Sequence, residues 1–247
     1  MIEIACINKG RGNSDKNDDC ILINRTIIKD GDADEECTGV CVAAVCDGVG
    51  GEAHGDTASH IVAETLAGYD YEDICQQKII DIVNKANESV NAVRGSNPEY
   101  RNMASTLAAL VCNGDRYYVF NAGDSRVYRM NGIYAEQISS DHSMQNMFRQ
   151  IGVECPQEQR HVITKYIGMD CNVEPYVYEG SILPDAEEIF FLCSDGIWEF
   201  IDLYDVEDYI NSDDMTVVSA CRNIFDRALA NGSDDDMSVI IVRIHKD

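Results

Sequence analysis

The residues of this chain whose types and spacing suggest chemistry are aspartates, and they fall where apolar runs begin or end. Asp19 precedes Cys20–Ile23, Asp47 follows Val40–Cys46, Asp195 follows Glu188–Ser194, and Asp235 precedes Met237–Ile244. Two of them sit in segments that look alike, Val45-Cys46-Asp47-Gly48 and Leu192-Cys193-Ser194-Asp195-Gly196. A single Asp-Gly after a strand is an ordinary turn. Four acids at strand ends are harder to dismiss as turns and could together form a site for a hard cation. Mg²⁺ and Mn²⁺ take oxygen ligands in octahedral geometry and keep several waters, so a few rigid carboxylates and one carbonyl are sufficient. Gly48 is the candidate carbonyl, because no side chain stands between its oxygen and an ion.

Other chemistries find less support. His54, His60, His142, His161 and His245 form no close ligand pair of the kind zinc requires. The 11 cysteines are odd in number, include no Cys-x-x-Cys and lie mostly in apolar runs, so they read as small core residues in a reducing compartment. Cys221 and Arg227 have the Cys-x5-Arg spacing of a cysteine-nucleophile phosphatase. That chemistry needs a loop of converging N–H groups ahead of a helix, whereas Val217, Val218, Cys221, Ile224, Phe225 and Leu229 trace one continuous helical face.

Charge narrows the partners. With 44 acids against 19 bases and a net charge of −25, most of the surface repels a phosphate backbone or an anionic membrane, so neither nucleic acid nor membrane is expected as a partner. No apolar run approaches the roughly 18 residues of a membrane span. Met1-Ile2-Glu3-Ile4-Ala5 lacks the basic segment and apolar stretch of a signal peptide, and a cytoplasmic location is expected. Four prolines, no Ser/Gly-rich stretch and no internal repeat favour one domain over 1–247.

The elements that must position these acids follow from periodicity. Ile2–Ile7, Cys20–Ile23 and Val40–Cys46 are strand-like, and Thr57–Leu66 and a stretch from Ile79 to Val93, stopping at Arg94-Gly95, have helical spacing. Leu107–Cys112, Arg116–Phe120, Arg126–Met130 and Ile133–Gln137 are strands, with hairpin turns expected at Asn113-Gly114 and Asn131-Gly132. After a mixed region come strands at Glu174–Tyr178 and Glu188–Cys193, helices near Leu203–Asn211 and Met215–Ala230, and a last strand, Met237–Ile244. Strands at both ends with helices grouped between them predict an α+β sandwich, two sheets covered by helices.

At these residues the sequence resembles the protein phosphatase 2C family of metal-dependent Ser/Thr phosphatases, its bacterial branch in particular. Asn17-Asp18-Asp19 is similar to the family's Asn-Glu-Asp, and Asp47-Gly48-Val49-Gly50-Gly51 with Gly55 and Ala58-Ser59 to its Asp-Gly-Met-Gly-Gly segment. Ser105-Thr106-Leu107, Gly123-Asp124-Ser125-Arg126, Ser140-Asp141-His142-Ser143 and Ile163–Gly168 resemble further motifs in the same order. Cys193–Trp198 resembles the family's Ser-Asp-Gly-Leu-Trp, and Asp235-Asp236-Met237-Ser238 its closing Asp-Asn-Ile-Thr.

The resemblance implies a four-layer α-β-β-α sandwich of two antiparallel sheets between helices. It implies that Asp47 bridges two Mg²⁺ or Mn²⁺ ions, Gly48 adds its carbonyl to one, Asp195 and Asp235 complete the other, and Asp18 and Asp19 hold metal-bound waters. Asp124 with Asp195 matches a third, weaker metal site of bacterial relatives. The implied flap is Ser143–Val162, shorter than in most bacterial members. The implied reaction is hydrolysis of phosphoserine and phosphothreonine by a hydroxide bridging the cations, with phosphorylated proteins as substrates and a Ser/Thr kinase acting on the same ones. Val49 stands where many animal members have a leaving-group histidine, so a metal-bound water is the expected acid. Two positions depart from the pattern: Ser14 replaces a phosphate-binding arginine, and Asp236 replaces an asparagine. Arg11, between Gly10 and Gly12, is the candidate substitute for that arginine. The rival outside catalysis is a phosphatase-like module that binds a partner after its chemistry has decayed, against which the retained Asp47, Asp195 and Asp235 speak.

Overall fold

The computed structural model describes residues 1–12, 16–49, 54–182 and 187–245. In chain order its strands are β1 (Ile2–Lys9), β2 (Cys20–Ile23), β3 (Thr26–Ile28), β4 (Gly31–Cys37), β5 (Cys41–Cys46), β6 (Gly48–Val49), β7 (Ala104–Ser105), β8 (Leu107–Asn113), β9 (Arg116–Ala122), β10 (Arg126–Asn131), β11 (Tyr134–Gln137), β12 (Tyr176–Ser181), β13 (Glu188–Cys193) and β14 (Met237–Ile244). Its helices are α1 (Gly55–Ala67), α2 (Gln76–Ser96), α3 (Met144–Gln150), α4 (Asp195–Trp198), α5 (Leu203–Ile210) and α6 (Val217–Ala230).

Two antiparallel six-stranded sheets result, one in the order β11-β10-β13-β14-β1-β4 and the other β12-β9-β8-β5-β2-β3. The runs read as buried strands are buried because both faces are covered. β5 and β13 are buried at every position, their apolar side chains alternating between the layer shared by the two sheets and a helical layer. Ile21, Val45, Leu110, Val119, Leu192 and Ile240 fill the space between the sheets. Val62, Leu66, Ile79, Val83 and Val90 pack α1 and α2 on the second sheet, and Ala220, Cys221, Ile224 and Phe225 pack α6 on the first. The four-layer sandwich expected from the sequence is the observed architecture.

Some local expectations are corrected. The two hairpin loops are Gly114-Asp115 and Gly132-Ile133, because Asn113 pairs with Arg116 and Asn131 with Tyr134 inside the ladders. Gly114 and Gly132 take φ values of 61° and 64°, the left-handed conformation that a glycine adopts without a Cβ clash. Helix α2 continues through Gly95 to Ser96, and β12 begins at Tyr176 rather than Glu174. Cys221 lies in the interior of α6, its thiol donating to the Ala5 carbonyl at 3.1 Å and pushed well up by burial, which removes it as a nucleophile.

Candidate metal centre

The acids converge because strands of both sheets end at the same side of the sandwich. At the end of β5 the Asp47 N–H donates to Thr106 Oγ1 at 3.1 Å, and the Thr106 N–H donates back to the Asp47 carbonyl at 2.7 Å. Thr106 Oγ1 shares a buried 2.7 Å bond with Ser125 Oγ, so the residues around Asp124 hold the backbone of Asp47. The short β6–β7 ribbon follows, with Gly48 opposite Ser105 and Val49 opposite Ala104. Gly48 donates its N–H to the Asp18 carbonyl at 3.1 Å. A Cβ on Gly48 would collide with the Gly55 carbonyl group and lie 2.5 Å from the Asp18 oxygen, and a Cβ on Gly55 would lie 2.6 Å from the Gly48 oxygen. Both residues are glycine because two backbones touch there, a constraint separate from access of an ion to the carbonyl.

Asp236 gathers the opposite side. Its carboxylate accepts from the Arg11 N–H through Oδ1 and from the Asp18 N–H through Oδ2, each at 2.7 Å. An asparagine has one acceptor oxygen where the carboxylate has two, so aspartate at this departure from the family pattern gives both amides a charged partner. The same contacts place Arg11 next to the Asp235-Asp236 pair. The guanidinium of Arg11 is exposed, with no bond among the described residues. Ser14, Gly50 and Gly51 lie outside the described residues.

Asp18 and Asp19 separate in role. Asp18 Oδ1 accepts from the Asp56 N–H at 3.1 Å, capping the first turn of α1 from a distant loop, and pairs with Lys16 at 3.2 Å. Asp19 is buried, its Oδ2 accepting from Ser194 Oγ at 2.8 Å. Ser194 Oγ in turn accepts from the Ser238 N–H at 3.0 Å, which ties the start of α4 to β14 beneath the site. Asp195 is half-buried in the first turn of α4, and Asp235 is exposed at the rim.

The field at this cluster is one of carboxylates with too few cations. Burial, then the charges of Asp195, Asp19, Asp124 and Asp235, push Asp47 well above the usual carboxylate range. Burial and the charges of Asp235 and Glu199 raise Asp195 to about 6. Burial and the charges of Asp195 and Asp141 raise Asp124 to about 7, and Asp19, desolvated against Asp195 and Asp236, rises to about 8. Asp124 Oδ1 is moreover buried without a hydrogen-bond partner among the described residues. Among the described residues no three Asp, Glu, His or Cys side chains close on one point as a ready-made cage. The donors around Asp47 are all oxygens, one of them buried and unpartnered among the described residues, and such a set fits a hard cation such as Mg²⁺ or Mn²⁺.

Residues 30–238 match the family model described as Protein phosphatase 2C. The chain belongs to the protein phosphatase 2C family. Its relatives within this phosphatase family include the protein phosphatase PhpP of Streptococcus pneumoniae, 26% identical over 219 residues that cover 82% of this chain and 85% of that one. Among solved structures, the serine/threonine phosphatase Stp1 from Staphylococcus aureus has a TM-score of 0.83 at 25% identity, with coverage of 99% of this chain and 96% of that one. The catalytic domain of the phosphatase PstP, solved in complex with two manganese ions, has a TM-score of 0.80 at 22% identity over 99% of this chain and all of that domain.

The phosphatase 2C scaffold includes a contact that sequence reasoning passed over. Arg126 holds Asp141 through Nε and Nη2, the shortest distance being 2.7 Å, and its guanidinium carbon lies 3.4 Å above the Trp198 ring. This stack fixes the end of α4 opposite Asp195 to the turn that carries Asp124. The segment expected as the flap begins with α3, and Ser143 at its start bridges to Ile163.

Proposed function

We propose that this chain is a single-domain, metal-dependent protein serine/threonine phosphatase, with Asp47, Gly48, Asp195 and Asp235 holding two Mg²⁺ or Mn²⁺ ions and Asp124 a weaker third. The observation that carries the reading is the match of residues 30–238 to the family model, with strand-end Asp47, Asp124 and Asp195 near enough for their charges to act on one another. Bound ions would supply Lewis acidity toward the phosphoryl oxygens and lower the pKa of an attacking water. The chain's residues do the placing. Thr106 and Ser125 fix Asp47, Ser194 and Ser238 hold Asp19 beneath it, and Asp236 keeps Asp18 and Arg11 at the rim. The Arg11 guanidinium is free to grip the phosphate dianion. Val49 offers no proton to the departing alkoxide, so that proton comes from water.

The substrates are phosphorylated proteins, supplied by a Ser/Thr kinase acting on the same targets. PhpP and PstP carry names that include protein phosphatase, which supports this substrate class. Among the described residues no helix is long and apolar enough to cross a membrane. The test is hydrolysis of an aryl phosphate and a phosphothreonine peptide with Mn²⁺ and with chelator. Turnover only with metal supports the reading, and equal turnover under chelation contradicts it.

A further inference from the structure

The ribbon that carries Gly48 has a cavity against it of about 320 Å³, lined by Val49, Met103, Ala104, Tyr166, Arg94 and His161 among others. Val49 is two residues from Asp47, so the cavity adjoins the reaction site. Arg94 also lines a neighbouring cleft of about 410 Å³ together with Arg101 and Asp170. Arg94 is held in place: Nε donates to the Arg101 carbonyl at 3.0 Å, and Nη1 donates to Asn91 Oδ1 at 2.7 Å and to the Gly168 carbonyl. Arg101 is exposed, and among the described residues its guanidinium has no ion-pair partner. The counter-charge nearest Arg94 is Asp170, 3.3 Å away and 95% exposed. A carboxylate so open to solvent is a weak partner and is readily displaced by a competing one.

We propose that this track of Arg94 and Arg101 receives an acidic side chain flanking the phosphorylated residue, so that the preferred substrates are acidic phosphopeptides. The proposal rests on the phosphatase reading above. Its argument is charge complementarity. In a chain with 44 acids and 19 bases most of the surface repels an acidic peptide, and a groove lined by two arginines beside the metal centre is where such a peptide gains on approach. Asp170 occupies the arginine until substrate arrives, and removing its charge should strengthen the preference.

The experiment compares kcat/KM on two matched phosphothreonine peptides, with Glu or Gln flanking the phosphoresidue, at saturating Mn²⁺. Wild type should favour the Glu peptide by roughly fivefold, and the ratio should shrink toward one at high salt. Arg101→Glu, at an exposed position, should abolish or invert the ratio, and Asp170→Asn should raise it. A wild-type ratio of one, a preference for the Gln peptide, or a ratio unmoved by both variants overturns the proposal while leaving the phosphatase reading intact. Release of phosphate from neither peptide would instead remove the phosphatase reading and this inference with it.

Discussion

The metal-free protein should lose stability as pH rises through the neutral range, and Asp124 gives the effect a size. Its carboxyl rises from 3.8 to about 7 in the folded chain through burial and the charges of Asp195 and Asp141, and its Oδ1 has no partner among the described residues. A group whose folded pKa is raised favours the folded state fully below its unfolded pKa, and that contribution is lost as pH climbs through the folded value. Here the window runs from about pH 4 to about pH 7. At 1.36 kcal/mol per unit, the shift amounts to on the order of 4 kcal/mol between its ends. Asp19 and Asp195, raised to about 8 and about 6, act in the same direction. Asp124→Asn removes the charge while keeping the shape. In chelator at pH 8 the variant should melt roughly 8–16 °C above wild type, with most of the difference gone at pH 4.5. Added Mn²⁺ should then raise the wild-type Tm more than that of the variant, because binding to the folded state stabilises it by mass action. Scanning calorimetry across pH reads both effects. A wild-type Tm that rises from pH 5 to pH 8 in chelator would refute the electrostatic reasoning.

Three further outcomes follow from the site. Asp47→Asn and Asp195→Asn should remain folded and lose nearly all turnover, so wild-type rates from either at saturating Mn²⁺ would falsify the ligand assignment. Arg11→Ala should raise KM by roughly tenfold or more with a smaller change in kcat, the effect of losing a charge-assisted hydrogen bond worth about 1.5–3 kcal/mol, and Ser14→Arg in that background should restore it; an unaltered KM shows that the phosphate is held without Arg11. Asp236→Asn leaves either the Arg11 or the Asp18 amide without its acceptor and should cost about 1–3 kcal/mol in a denaturant titration, whereas an unchanged midpoint would show that those two bonds do not fix the loop.

Much of the framework was legible because burial on both faces leaves an unambiguous mark. Cys20–Ile23, Glu188–Cys193 and Met237–Ile244 are strands with the bounds their apolar runs predict. Strand β4, Gly31–Cys37, left no such mark. It is an edge strand whose alternate residues face solvent, so Asp32, Asp34 and Glu36 hide the pattern, and only Ala33 and Cys37 reach the core. The hairpin centres were displaced by one residue because an asparagine before a glycine served as the last ladder position rather than the first turn position.

At the site, the strand-end aspartates could be read because each stands beside its own apolar run. The part of Asp236 in holding two amides could not, since its partners lie 225 and 218 residues away and come together only when β1 pairs with β14. The stack of Arg126 on Trp198 was likewise invisible, two motifs each read for its aspartate and joined only in three dimensions. At Gly48 the sequence suggested only a carbonyl for an ion, whereas the structure gives the glycine a packing reason, contact with Gly55 that any Cβ would prevent.

Where divalent cations bind decides most directly whether Asp47 is the centre of the site. Anomalous diffraction from crystals soaked in Mn²⁺, with data collected at the manganese absorption edge, should show two strong peaks on either side of the Asp47 carboxylate, one near the Gly48 carbonyl and one near Asp195 and Asp235. Peaks elsewhere on the acidic surface, with none at Asp47, would contradict the proposed centre.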